Sequence, residues 1–176
     1  MGTMEMASQV INLIGSSSNI LGINFKEKRK TLICFIIGNI LISTSLGLLH
    51  AWSGMIVQAL FVTETIINYF YEKHNDESHY NIWVIIVYII APLLVLLINF
   101  QSMYDLFVIF AGVLFPLSIV AKDFNLRLLN FIAVMLWIPY NFHFAQYAGA
   151  IMSTIFAIVN LIAIIRYDIL KDKRKI

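Results

Sequence analysis

The chain has 176 residues, 60% of them hydrophobic and only 12% charged, and its mean hydropathy is +0.84; soluble domains average about 45–50% apolar and 25% charged residues. Twelve basic and ten acidic side chains cannot cover the water-facing surface of a 20.1 kDa protein, which argues against a soluble enzyme, a disordered regulator and a nucleic-acid binder. The single cysteine, Cys34, allows no intrachain disulfide and no cysteine metal cage. The composition is that of an all-α membrane protein.

A spanning helix needs about 20 apolar residues to cross about 30 Å of hydrocarbon. Charge-free runs cover Met6 to Phe25, Thr31 to Tyr71 with only Glu64 inside, Ser78 to Tyr104, Leu106 to Ala121, and Leu128 to Ile165. The second and last would each reach roughly 60 Å as one helix, so each is expected to fold back as a hairpin. Small residues beside an interfacial aromatic mark the breaks: Ala51-Trp52-Ser53-Gly54 in one, Gln146-Tyr147-Ala148-Gly149 in the other. In chain order the expected spans are Gln9 to Phe25, Thr31 to His50, Gly54 to Tyr71, Tyr80 to Asn99, Asp105 to Val120, Leu126 to Ala145, and Ala148 to Tyr167.

Basic residues orient such a bundle, because cytoplasmic loops carry the excess of Lys and Arg. With the N-terminus outside, all twelve fall on the inner side: Lys26, Lys28, Arg29 and Lys30; Lys73; Lys122 and Arg127; and Arg166, Lys171, Lys173, Arg174 and Lys175. The outer segments keep only Glu5 and Asp105. The start has no basic n-region and no small-residue cleavage site, so the first span reads as retained rather than as a signal peptide.

Self-comparison reveals a repeat. At an offset of 95 residues Gly54 falls on Gly149, Trp52 on Tyr147, Gln58 on Ser153 and Thr65 on Asn160; upstream the offset is 97, with Gly15 on Gly112 and Lys30 on Arg127. Two such triplets run in the same direction only if the fourth helix inverts the chain between them, which is the parallel-repeat arrangement of SWEET transporters. The expected architecture is one integral domain over 1–176, with seven transmembrane helices in a 3+1+3 arrangement of two parallel triple-helix repeats. Repeat one covers about 9–71, a linker helix about 80–99, repeat two about 105–167, and a basic cytoplasmic tail 168–176.

The second half carries Trp137-Ile138-Pro139-Tyr140-Asn141-Phe142, then Gly149, Asn160 and Ile164-Ile165-Arg166. In these residues the chain resembles the YgjV family of bacterial inner-membrane proteins. The first half agrees through its Gln9 to Gly22 start, the basic Lys26 to Lys30 loop, and Leu48-Leu49-His50-Ala51-Trp52-Ser53-Gly54. The resemblance implies residence in the bacterial cytoplasmic membrane and a helix arrangement similar to SWEET and PnuC-type vitamin transporters; it supplies no activity. Pro116 and Pro139 could match the hinge prolines of SWEET proteins, whereas the first two helices have none.

Polar side chains inside a bilayer face the bundle interior or a water-filled cavity. Gln58, Thr65 and Asn68 lie near one face of the third helix, and Ser153 and Asn160 on the seventh occupy repeat-equivalent positions to Gln58 and Thr65. These are the candidate substrate-binding groups, with interhelical hydrogen bonding as the plainer role. Trp137 and Asn141, one turn apart, offer an aromatic platform and an amide, or simply packing and one bond. Glu64 is the one carboxylate well inside a span. It is either a proton site or, if the helix slides, an interfacial residue beside Glu72 and Lys73. His74 and His79 are too sparse for a metal site, and Ser16-Ser17-Ser18-Asn19 reads as small-residue packing with access to a cavity. No phosphate loop, nucleophile elbow or zinc motif occurs, so neither enzyme nor cofactor is expected. The sequence therefore points to a carrier of a small polar solute that hydrolyses no ATP itself. A non-transporting stress or immunity factor, or a subunit of a membrane complex, is the alternative. The lipid bilayer and the solute are the expected partners.

Overall fold

The computed structural model describes residues 2–23, 25, 27–74, 82–120 and 123–169. Among these residues the chain forms seven α-helices and no strand: α1 (Thr3–Ile23), α2 (Lys28–Leu48), α3 (Trp52–His74), α4 (Ile82–Ile98), α5 (Asp105–Val120), α6 (Asp123–His143) and α7 (Tyr147–Ile164), followed by a π-helical turn over Ile165–Ile169. Lys26, His79, Lys122 and residues 170–176 of the basic tail lie outside the described residues. By length and composition α2 (over Arg29–Leu48) and α7 qualify as membrane spans, while α4 and α5 hold shorter apolar stretches, Ile82–Val95 and Asp105–Ser118.

The first helix begins at Thr3, six residues before the expected Gln9. The reason is local. Gly2 donates its backbone N–H to Glu5 Oε2 at 2.9 Å, and the carboxylate sits in the first turn, where the helix dipole favours negative charge.

Both hairpins close with the same device, 95 residues apart. At the end of α2, His50 donates its N–H to Gly47 O at 3.0 Å and Ala51 to Leu46 O at 3.0 Å; at the end of α6, Ala145 donates to Phe142 O at 3.2 Å and Gln146 to Asn141 O at 2.8 Å. This is the Schellman pattern, which returns orphan carbonyls to the chain through a left-handed residue. Neither hairpin has glycine at that position: His50 takes φ 55° and Ala145 φ 53°. A left-handed non-glycine residue costs roughly 1–2 kcal/mol, so its presence at both equivalent positions marks a shared turn geometry.

Helix α1 packs on α2, α2 on α3, α3 on α5, α5 on α6, α6 on α7, and α7 on α1. Six helices thus form a closed ring, and α4 lies outside it against α3 and α5. Exchanging α1, α2 and α3 with α5, α6 and α7 leaves the ring order unchanged. Hydrogen bonds place the starts of α1, α3 and α7 beside the ends of α2, α4 and α6. Ser8 Oγ donates to Ser45 O, Gln9 Nε2 to Ala145 O, and Ser53 Oγ to Asn99 O. Close approach of α1 and α2 depends on Gly15 and Gly38, since a Cβ on Gly15 would fall 2.7 Å from Gly38 O and one on Gly38 would meet Gly15 O and Asn19 Oδ1.

The distribution of polarity is inverted relative to a water-soluble bundle. Leu97 is 83% exposed and Trp83 69%, whereas Asn12, Ser45, Gln58, Glu64, Asn141 and Gln146 are buried. A small apolar core of Leu46, Val57, Phe61, Val108, Ile109 and Tyr140 joins the halves close to the two hairpin turns.

Candidate functional site

The six ring helices enclose a cavity of about 370 Å³, and α4 contributes nothing to its wall. Asparagine dominates the polar lining: Asn12 and Asn19 from α1, Asn39 from α2, Asn130 and Asn141 from α6, and Asn160 from α7, joined by Gln58 of α3. Among the described residues, no Asp, Glu, Lys, Arg or His lines it. Aromatic rings form much of the rest. Phe61 lies 4.6 Å from Phe115 and 6.4 Å from Trp137, centroid to centroid.

Five of the eight residues expected to form the site meet here: Gln58, Trp137, Asn141, Ser153 and Asn160. Trp137 and Asn141 share one face of α6, and Asn141 Nδ2 lies 3.5 Å from Ser153 Oγ on α7. The lining also follows the offset of 95 residues. At the offset of 95, Phe35 pairs with Asn130, Asn39 with Val134, Ile42 with Trp137, Gln58 with Ser153, and Phe61 with Phe156, and all ten line the cavity.

Glu64, Thr65 and Asn68 are buried but do not line the cavity. The Thr65 hydroxyl turns back on its own helix to donate to Phe61 O at 2.6 Å. Glu64 stands seven residues after Val57 and so on the same stripe of α3, and Val57 packs at Gly112 of α5. It is enclosed by protein, only 2% exposed, and neither carboxyl oxygen has a hydrogen-bond partner.

Sequence reasoning did not single out Asn12, Asn39 or Asn130. For α1 a signal existed: Asn12, Ser16 and Asn19 recur at i, i+4 and i+7, a polar stripe down one helical face. For Asn130 a signal existed too, since it stands seven residues before Trp137 and eleven before Asn141 and so near their face of α6; for Asn39 nothing local tells which neighbour it faces.

A second polar cluster lies at the hairpin end of the cavity. Gln146 Nε2 donates to Ser45 Oγ at 2.7 Å and to Ser8 Oγ at 2.8 Å, and Asn12 Nδ2 donates to Ser45 Oγ at 3.0 Å. Gln9 clamps the start of α7, donating to Ala145 O and accepting from Ala148 N–H, both at 2.7 Å. Across the molecule Gly54 N–H, one of the orphan donors of α3's first turn, reaches Tyr140 Oη at 2.7 Å. A Cβ on Gly54 would sit 2.5 Å from the Tyr140 ring. Among the described residues the opposite end has no such cluster along the lining. On α7 the wall runs from Gly149 to Ala163, about 21 Å at 1.5 Å per residue, and Ala163 is one residue from the helix end.

A family model, Imp-YgjV, described as a bacterial inner membrane protein, matches residues 6–171. Comparison with curated proteins and with solved structures finds no match.

Proposed function

The chain belongs to the Imp-YgjV family of bacterial inner membrane proteins, and on that footing we propose that it is a seven-span carrier of a small uncharged polar solute. The two triplets α1–α3 and α5–α7 act as parallel repeats joined by α4, with the N-terminus outside and the C-terminus in the cytoplasm. Supporting this reading are the ring order that survives exchange of the triplets, the paired Schellman turns, the outward-facing apolar side chains, and the clustering of every Lys and Arg on one side of the inferred topology.

The observation that carries the proposal is an amide-rich cavity between the two triplets, with no charged side chain among its described lining residues and with the hydrogen-bonded Gln146 cluster at one end. Amides both donate and accept, so they replace the water shell of a hydroxylated or amide-bearing solute. A charged solute would be desolvated with no counter-charge in the wall, at a cost of several kcal/mol. Transport then consists of opening the Gln146 end while the other end closes, the solute remaining between Asn141 and Asn160 on one side and Gln58 on the other. That exchange needs no nucleotide hydrolysis and no cofactor on this chain.

The test is uptake by vesicles containing the purified protein, screened with neutral sugars, nucleosides, vitamins and amino acids, alongside thermal shifts with the same compounds. Asn160→Leu and Asn141→Leu should abolish binding and uptake while the protein stays folded in detergent. Absence of uptake and of any thermal shift for every compound would point instead to a non-transporting membrane subunit.

A further inference from the structure

Three amides from α1, α2 and α3 meet at one point of the cavity wall. Asn39 Oδ1 accepts from Asn19 Nδ2 at 2.9 Å and from Gln58 Nε2 at 3.0 Å. Both Asn39 and Gln58 are buried. Two donors on one carbonyl oxygen fix how the Asn39 amide is turned. Among the described residues Asn39 Nδ2 and Gln58 Oε1 are left without a partner, although both side chains line the cavity, while Asn19 Oδ1 is buried and unpartnered against Gly38. Turning all three amides over exchanges the roles of nitrogen and oxygen, and the Asn39–Gln58 pair still keeps one free donor group and one free acceptor. Asn19 is wedged into place by Gly38, the residue before Asn39, where any Cβ would collide with Asn19 Oδ1.

We infer that Asn39 and Gln58, braced by Asn19, form the subsite that reads the solute, and that it takes an uncharged ligand edge presenting a hydrogen-bond acceptor beside a donor. This inference rests on the carrier reading for the ligand's presence in the cavity, and it adds which groups recognise it. In the ring order α6 lies opposite α2, and its Trp137 lines the same cavity as Asn39 and Gln58. A ring-shaped solute then packs its face on Trp137 and offers its polar edge to Asn39 and Gln58. Two kinds of molecule carry such an edge: a lactam, as in a pyrimidine nucleoside, and adjacent ring hydroxyls, as in a pyranose.

Binding to the full-length protein in nanodiscs, measured by calorimetry, separates these. The probes are uridine and D-glucose, with N3-methyluridine and a fully O-methylated glucose as edge-blocked controls. Binding of uridine identifies a lactam reader and binding of glucose a hydroxyl reader. In either case the blocked analogue should bind at least about tenfold more weakly, since 1.4 kcal/mol is one decade. Gln58→Met and Asn39→Leu should each weaken the bound probe by at least about tenfold. Ser43→Ala should leave it unchanged, because Ser43 also ties α2 to α3, through Met55 O at 2.9 Å, away from the cavity. If Asn39→Leu fails to fold, Gln58→Met alone decides. Equal binding of probe and blocked analogue, a change under twofold in Gln58→Met, or no binding of either probe overturns the inference. Counterflow of the bound probe in vesicles keeps the two claims apart. Binding without flux refutes the carrier and leaves the subsite standing, whereas flux indifferent to Gln58 and Asn39 refutes the subsite alone.

Discussion

Gln146→Leu isolates the closure of the cavity. The substitution keeps the side chain's volume and removes two hydrogen bonds, at 2.7 Å to Ser45 Oγ and 2.8 Å to Ser8 Oγ. Each is worth about 1 kcal/mol net. Against that, Gln146 Oε1 is itself buried without a partner, and losing it recovers part of the cost. The closed end should therefore weaken by about 1–2 kcal/mol, a shift of about 5- to 30-fold toward the open form. Ser45 still accepts from Asn12, so α1 and α2 remain tied and the fold survives. The assay places one thiol in the cavity, Ser153→Cys in a Cys34→Ser background. It follows labelling by a membrane-impermeant reagent applied to right-side-out spheroplasts. Labelling should be slow with Gln146 and about 5- to 30-fold faster with leucine. A rate within twofold of the parent would refute the closure role of Gln146, and fast labelling in the parent would refute closure at that end in the proposed orientation.

Gly38→Ala should fail to hold α1 against α2, because its Cβ meets both Gly15 O and Asn19. Overpacking of this kind costs about 1–3 kcal/mol, read as a lowered melting temperature together with lost binding. Tyr140→Phe leaves Gly54 N–H buried and unpaired, and should lower stability by about 1–3 kcal/mol in thermal denaturation; an unchanged melting temperature would mean that water or another group replaces the phenol. Glu64→Met removes a buried carboxyl that has no partner in exchange for a similar apolar volume, so the melting temperature should rise. A fall would show that Glu64 is held by an interaction in the membrane. A reporter fused after Ile176 should be active only as a cytoplasmic fusion; activity in the periplasm would invert the proposed orientation.

Much of the helical layout was legible because charge in hydrocarbon is so costly that uncharged runs and basic loops delimit the apolar helices almost alone. The hairpin breaks and the offset of 95 were readable for a related reason. A duplicated turn must satisfy the same orphan carbonyls, and His50 and Ala145 do so in the same left-handed conformation. The helix ends were less so: one hydrogen bond from Gly2 to Glu5 moved the start of α1, too local an effect for hydropathy to register.

For the cavity, periodicity selected Gln58, Trp137, Asn141, Ser153 and Asn160, since residues three, four or seven apart must share a face whatever that face meets. It could not say which face meets the cavity. On α3 the stripe through Val57 and Glu64 turns toward α5, where Gly112 lets the helices approach, while the stripe through Gln58 and Phe61 turns inward. Asn12, Asn39 and Asn130 became wall residues only when α1 met α7 and α3 met α5 to close the ring. Hydrophobic pattern and charge act along the chain and through the solvent around it, and so they determined that this protein is a bundle of apolar helices with a repeated hairpin. The enclosure of amides, the closure by Gln146 and the isolation of Glu64 depend on contacts between residues far apart in sequence, such as Ser8 with Gln146 and Gly54 with Tyr140, and those only the tertiary structure decided.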